Sequence, residues 1–322
     1  MKAIRMHAVG GPEVLRLGEI DVPQPGAGHV LLKVEAAGVT YGDVMKRQGG
    51  FGPDLPLPAG LGLVAAGRVA STGAGVSAPA PGTRVMAWVE HGYAEYALAA
   101  ASAVVPLPDA VDLREATALP VQGVTAYQTL HDAARLQPGE SVLIHAAAGG
   151  VGNLAVQFAR LHGASTVIGT ASRPGKLKHI RGLGAVAVDY TDEKWPQHVL
   201  DATDGKGVDV VLDSVGGDIS TRSLECLAPF GRIVTFGAAG GSPAALTGMS
   251  LMVKNQSVIG YGLPGQMQNP ARLAEVVGKL VQLLAGGGLE VTIGQMLPLE
   301  EAEQAHRAIA GRDVVGTTVL LP

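Results

Sequence analysis

H-A-A-A-G-G-V-G, residues 145–152, is the stretch whose reading decides the fold. It follows an apolar run, residues 142–146, that reads as a buried strand. It opens a segment with Val151, Leu154, Ala155 and Phe158 on one face, the i, i+3, i+4, i+7 spacing of an amphipathic helix. Gly163 stands where such a helix would be capped. A loop of small residues between strand and helix lets the backbone approach a pyrophosphate, and the helix N-terminus adds unpaired N–H donors and positive dipole. Ala147 occupies the first glycine position of the strict G-x-G-x-x-G fingerprint, so the reading rests on placement rather than on the glycines alone. The alternative is a packing turn that holds no ligand.

Working outward, residues 166–170, 185–188, 208–213, 232–236 and 257–261 read as further strands, each separated from the next by a helical pattern. That alternation implies βαβ units and a doubly wound parallel sheet, an α/β fold. The first 120 residues differ in texture. Short apolar strands at 30–36, 66–71 and 83–88 alternate with Pro and Gly punctuation such as Pro79-Ala80-Pro81-Gly82. Beyond Pro270 a helix to about Leu284, a strand at 289–296, a helix at 300–309 and a strand at 317–321 are expected. The resulting plan is a β-rich domain over 1–120, rejoined by 266–322, around a dinucleotide-binding domain over 121–265.

The choice of dinucleotide is read at the end of the second strand. NAD-binding versions carry Asp or Glu there to accept from the ribose 2′-OH. This chain reads Gly169-Thr170-Ala171-Ser172-Arg173, with no acid. Ser172, Arg173 and Lys176 offer one hydroxyl and two positive charges, and Tyr190 follows at the end of the third strand. Those donors suit a 2′-phosphate, so NADPH is favoured over NADH. A solvated basic turn is the competing explanation.

The bulk composition narrows the class. The chain has 322 residues, 47% hydrophobic and 16% charged, enough apolar material for a large core. A formal charge of −4 argues against nucleic acid as the main partner, which needs a basic face. The single cysteine, Cys226, forbids an internal disulfide and fits a reducing compartment. No signal-like leader or membrane span is evident, so a cytoplasmic protein is expected. Asn255-Gln256-Ser257 matches a glycosylation acceptor by chance in that setting. Cys226 is expected to be a core thiol and His145 a packing residue at the strand end.

Several motifs in order carry a family resemblance over nearly the whole chain. They are G-G-P-E-V-L (10–15), G-L-G-x-x-A-A-G (60–67), A-A-A-G-G-V-G (146–152), D-S-V-G (213–216) and the ending G-x-x-x-L-x-P. Together they resemble the zinc-free quinone oxidoreductases of the medium-chain dehydrogenase/reductase superfamily. The resemblance implies a GroES-like substrate domain, a Rossmann cofactor domain, a cleft between them and a homodimer. It places Thr40, Tyr41 and Asp43 on the nicotinamide side and Thr125 near the nicotinamide or the phosphates. It puts Gly149, Gly150, Val151 and Gly152 at the pyrophosphate, and Ser172, Lys176 and Tyr190, with Arg173 added, at the 2′-phosphate. Ser214, Phe236, Gly237, Gly260 and Tyr261 would line the cofactor path. Val64 stands where many relatives carry Glu.

Zinc-dependent cousins carry metal ligands in segments that here hold Thr40, Leu61 and Val121, so no metal is expected. The implied chemistry is hydride transfer from NADPH to a quinone or another conjugated carbonyl, with Tyr41 as a hydrogen-bond or proton donor. Wall packing by Tyr41 is an equal alternative, and Asp43 is expected to be structural. An enoyl or enone reductase of the polyketide type remains open, since only 4% of residues are aromatic and few can stack on quinone rings. So does a non-catalytic NADPH-binding module.

Overall fold

A computed structural model describes residues 1–50 and 55–322. Among the described residues the strands are β1 (Lys2–Met6), β2 (Leu15–Glu19), β3 (His29–Val39), β4 (Ala59–Gly60), β5 (Val64–Thr72), β6 (Arg84–Trp88), β7 (Tyr96–Ala100) and β8 (Val104–Pro106). They continue with β9 (Ser141–Ile144), β10 (Thr166–Ala171), β11 (Val186–Asp189), β12 (Val208–Asp213), β13 (Leu227–Thr235), β14 (Ser257–Gly260), β15 (Ile293–Pro298) and β16 (Thr317–Leu321). The chain divides into two compact units, residues 1–121 with 277–322 and residues 122–276.

The first unit is β-rich. Its main sheet runs β15-β16-β3-β5-β6-β8, with β7 also paired to β3, and a small sheet runs β2-β1-β4. The C-terminal strand β16 lies antiparallel on β3, with Val319 opposite Gly38. The tail therefore completes the sheet that the N-terminal segment begins. Alternate residues Val30, Leu32 and Val34 of β3 point into a core shared with Val85, Ala87, Leu61 and Leu320. The β3–β5 ladder shifts register between Val34 and Ala36. There Gly67 lies so close that a Cβ would sit 2.0 Å from the Lys33 carbonyl oxygen, so the last glycine of the 60–67 motif makes room opposite the β3 bulge at Glu35.

The second unit is a six-stranded parallel sheet in the order β11-β10-β9-β12-β13-β14. The chain moves outward from β9 to β11, returns to the other side of β9 at β12, and moves outward again. That reversal is the topological switch point of a doubly wound sheet. Leu143, Ile168, Val211 and Ile233 are buried with Trp195, Val199 and Cys226 beneath one face. The Gly150–Leu161 helix ends with Gly163 at φ +86°, the left-handed turn read from the sequence.

Two strand starts differ most from the sequence reading. The strand expected at 289–296 is paired only from Ile293. Leu289 and Val291 are buried outside the ladder, so an alternation that reads as a strand reports packing alone. The strand expected from Arg232 begins at Leu227, although the segment holds Pro229 and a left-handed Phe230. The ladder crosses that irregularity through a register shift between Val208 and Val210.

Candidate cofactor and active site

The sequence-derived residues of the second unit fall at one edge of its sheet. The 145–152 loop follows β9, Ser172 and Arg173 follow β10, and Tyr190 follows β11. Ser214 follows β12, Phe236 and Gly237 follow β13, and Gly260 and Tyr261 close β14. All six carboxyl ends thus contribute, which is where open parallel sheets bind ligands.

The glycine loop is held by backbone bonds from Ala147 N–H to the Thr170 carbonyl (3.1 Å) and from Gly149 N–H to the Ala146 carbonyl (2.9 Å). No side chain caps the twelve-residue Gly150–Leu161 helix at its N-cap Gly149. Its first-turn N–H groups therefore remain available to an anion. The glycines differ in role. A Cβ on Gly152 would lie 2.4 Å from the Ala146 carbonyl oxygen, so this position lets helix and loop backbones meet. A Cβ on Gly150 would meet instead the Gln122 carboxamide, 2.5 Å from its Nε2.

Ser172, Lys176 and Tyr190 are half-buried and Arg173 is exposed. Arg173 is the N-cap of the Pro174–Gly182 helix, whose dipole adds positive potential. Tyr190 N–H donates to the Ala171 carbonyl (3.2 Å), which ties Tyr190 to the end of β10 beside Ser172. A hydroxyl, two cations, a phenol and a helix N-terminus fit a phosphomonoester.

The D-S-V-G motif forms the turn after β12. The buried Asp213 carboxylate accepts from Val215 N–H (2.8 Å), Gly216 N–H (3.1 Å) and the Ser220 hydroxyl. Gly216 is left-handed, and a Cβ there would lie 2.2 Å from the Ser242 carbonyl oxygen. Nearby is an open recess of about 430 Å³ lined by Thr235, Phe236, Gly237, Pro243, Ala244, Gly260 and Tyr261. Ser214 is not part of that lining; its carbonyl accepts from Ala239 N–H and supports the wall from behind. Tyr261 donates to Gln128 Oε1 (2.8 Å) and lies within hydrogen-bond reach of the Thr125 side chain. Burial pushes the Tyr261 phenol up to about 12, so it stays protonated.

In the first unit, Thr40 caps the Tyr41–Arg47 helix in a capping box with Asp43. Asp43 accepts from Thr40 N–H (2.9 Å), the Thr40 hydroxyl (2.7 Å) and Gly62 N–H (3.0 Å). Gly62 reaches this carboxylate at φ +98°, which explains the second glycine of the 60–67 motif. Asp43 is sealed from solvent, and burial raises its carboxyl against those hydrogen bonds. Both of its oxygens are committed to hydrogen bonds with Thr40 and Gly62, and it positions Thr40 and Tyr41. The Thr40 side chain is buried in the same way. Tyr41 is 39% exposed.

Other sequence expectations are resolved by burial. His145 is enclosed, with Nδ1 3.0 Å from the Thr170 hydroxyl and Nε2 2.8 Å from the Ser223 hydroxyl, and burial lowers it to about 4. The buried Cys226 thiol is pushed up to about 12, an inert core group. Among the described residues no three His, Cys, Asp or Glu side chains gather as a metal site. Sequence reasoning missed Gln122 and Gln128. Both lie on a helical stretch where π-helical turns, Leu119–Gly123 and Thr129–Ala133, flank the short Val124–Gln128 helix. Two polar residues on an apolar stretch were the available signal.

Comparison with known proteins agrees with this layout. A family model described as zinc-binding dehydrogenase matches residues 150–282, and one described as alcohol dehydrogenase GroES-like domain matches residues 26–109. The chain is 37% identical over 328 residues to a quinone oxidoreductase of Pseudomonas aeruginosa, covering 100% of this chain and 99% of that one. It is 34% identical over 331 residues to a 2-haloacrylate reductase of Burkholderia sp, covering 98% of each. The structure of Escherichia coli quinone oxidoreductase complexed with NADPH superposes with a TM-score of 0.94 at 33% identity, covering 100% of both chains.

Proposed function

We propose a function from one premise: this chain belongs to the quinone oxidoreductase family of the medium-chain dehydrogenase/reductase superfamily. It is an NADPH-dependent oxidoreductase whose acceptor is a quinone or another electron-poor conjugated carbonyl. The observation that carries the reading is the convergence of the glycine loop, the basic corner and the apolar recess on the carboxyl ends of one parallel sheet.

NADPH supplies a hydride when bound. The chain's residues hold and orient it. Gly150 and Val151 present backbone N–H groups to the diphosphate, the Gly149 N–H being bonded to the Ala146 carbonyl, and Gly152 lets that backbone pass. Ser172, Arg173, Lys176 and Tyr190 take the 2′-phosphate. Phe236, Gly237, Gly260 and Tyr261 wall the recess, and Thr125 supports Tyr261. In the first unit, Tyr41 would serve as the hydrogen-bond or proton donor, on a helix start fixed by Thr40 and Asp43.

The reaction needs no zinc in this reading. Thr40, Leu61 and Val121 supply no thiolate or imidazole, and a conjugated acceptor spreads the incoming charge over its own π system. The likeness to a 2-haloacrylate reductase favours one second reading, reduction of an activated C=C bond. Steady-state rates with NADPH across a panel of para-quinones and enones, with and without chelator, test these statements. The faster class names the substrate. Chelator-sensitive turnover with about one zinc per chain would overturn the metal-free reading. Absence of NADPH oxidation with every acceptor would leave only a cofactor-binding module.

The partner fitted by the surface is a second copy of this chain. Edge strand β14 is open on one side; Met249, Met252 and Val253 (85% exposed) precede it closely in the chain, and Phe230 (74% exposed) is tied to the same segment by its N–H bond to the Lys254 carbonyl. An unpaired edge with apolar neighbours invites strand pairing across a two-fold axis. No helix among the described residues is long and apolar enough to cross a membrane. A cytoplasmic location supplies NADPH and keeps Cys226 reduced.

A further inference from the structure

Gln122 lies in the π-helical Leu119–Gly123 turn and is only 9% exposed. Its Oε1 is fully sealed and meets no donor, and among the described residues its amide forms no hydrogen bond. A buried carboxamide without partners is rare in folded proteins, because folding strips its water and returns nothing. Its position gives the reason. The Nε2 and Cδ atoms lie 2.5 and 2.6 Å from where a Gly150 Cβ would stand, against the first residue of the uncapped Gly150–Leu161 helix. An uncommitted amide and a set of uncommitted helix N–H groups thus face one small space.

We propose that Gln122 is a further cofactor-binding residue that reads the diphosphate bridge of the dinucleotide. Its Nε2 donates to a diphosphate oxygen. The assignment rests on the NADPH reading above and adds a contact that is blind to the 2′-phosphate. NADPH and NADH share the bridge, so Gln122 sets dinucleotide affinity while the Ser172–Arg173–Lys176 corner sets the preference between them. A neutral amide also suits the place: it donates to the diphosphate without the counter-charge that a lysine would bring to the helix N-terminus.

The test is isothermal titration of NADPH, NADH and adenosine 2′-monophosphate into the native protein, Gln122→Met and Gln122→Glu, with melting temperatures of the ligand-free proteins. Gln122→Met keeps the volume and removes both hydrogen-bonding atoms. It is expected to weaken NADPH and NADH equally, about tenfold, the loss of one hydrogen bond to a charged group. Adenosine 2′-monophosphate, which lacks the bridge, should bind unchanged, and the melting temperature should not fall. Gln122→Glu sets a carboxylate against the diphosphate and should weaken both dinucleotides further. Native affinity of Gln122→Met for both dinucleotides would overturn the proposal, as would equal losses for adenosine 2′-monophosphate with a lowered melting temperature. Failure of the native protein to bind NADPH at all would instead remove the reading on which the proposal rests.

Discussion

Gly150 and Gly152 stand two residues apart in one motif, yet alanine at each is expected to fail differently. At Gly152 the new methyl would lie 2.4 Å from the Ala146 oxygen and 2.6 Å from Ala147 Cα, against ordinary contacts of 3.4 Å and beyond. Both obstacles are backbone, in a segment pinned to Thr170 and Gly149. Overpacking of that kind costs about 1–3 kcal/mol, and the better helix propensity of Ala returns less than about 1. The net loss of about 1–2 kcal/mol should lower Tm by roughly 5 °C. At Gly150 the obstacle is the far end of the Gln122 side chain, which can rotate away. Stability should then stay within about 0.5 kcal/mol of native. The displaced amide and the added methyl both intrude on the anion site, so the Kd for NADPH should rise about tenfold or more. Calorimetric melts with and without NADPH, together with a fluorescence titration, separate the two effects. A native Tm for Gly152→Ala would refute the backbone-contact argument. Unchanged NADPH affinity in Gly150→Ala would remove the diphosphate from this helix start.

Lys176→Ala is expected to lower kcat/KM for NADPH about tenfold, the loss of one charge-assisted hydrogen bond, and to leave NADH use nearly unchanged. Equal losses for both cofactors would assign Lys176 to the fold of the loop instead. Acid should destabilise the protein through buried neutral histidines, with His145 lowered to about 4 and His306 to about 3 by burial. Above about pH 6.5 both are neutral whether folded or unfolded; below it the unfolded chain takes up protons that the fold refuses, at up to about 2.7 kcal/mol per pH unit for the pair. Asp43, raised by burial, works in the opposite sense at lower pH. Urea unfolding at pH 7.5 and 5.5 should show the loss, and a flat profile would contradict it. Val258→Lys on the edge strand β14 should convert a dimer to monomers by light scattering, and an unchanged mass would place the interface elsewhere.

The fold was legible because its signals are periodic. Alternation of apolar runs with 3.6-residue patterns over residues 141–262 identified the parallel sheet, and the strand at 208–213 was located to the residue. The site was legible where chemistry sits directly after a strand, as with Ser172 after β10 or Phe236 after β13. Legibility ended where a role depends on a distant neighbour. Asp43 reads as structural in V-T-Y-G-D, yet only Gly62 N–H, nineteen residues on, shows where its second oxygen goes. Gln122 carries no motif at all; its meaning lies in an absence of partners and in the glycine it touches, 28 residues away.

The same pairwise logic explains the imperfect fingerprint. Ala147 departs from the strict fingerprint, where a glycine makes the tight turn. The neighbouring strand makes room for its methyl. A Cβ on Gly169 of β10 would lie 2.6 Å from the Ala147 methyl and 2.9 Å from Ile180 Cγ2, so Gly169 opens the hollow that Ala147 fills. The turn itself is carried by Ala146 at φ +50°, a left-handed alanine that costs roughly 1–2 kcal/mol. Its neighbours hold it there: His145 N–H bonds to Leu212, Ala147 N–H to Thr170, and the Ala146 carbonyl accepts from Gly149 N–H. A loop strained at one alanine and filled at the next is less free to relax than a run of glycines. The unpaired N–H groups of the Gly150–Leu161 helix are thereby held in place before any anion arrives, which lowers the ordering cost of binding.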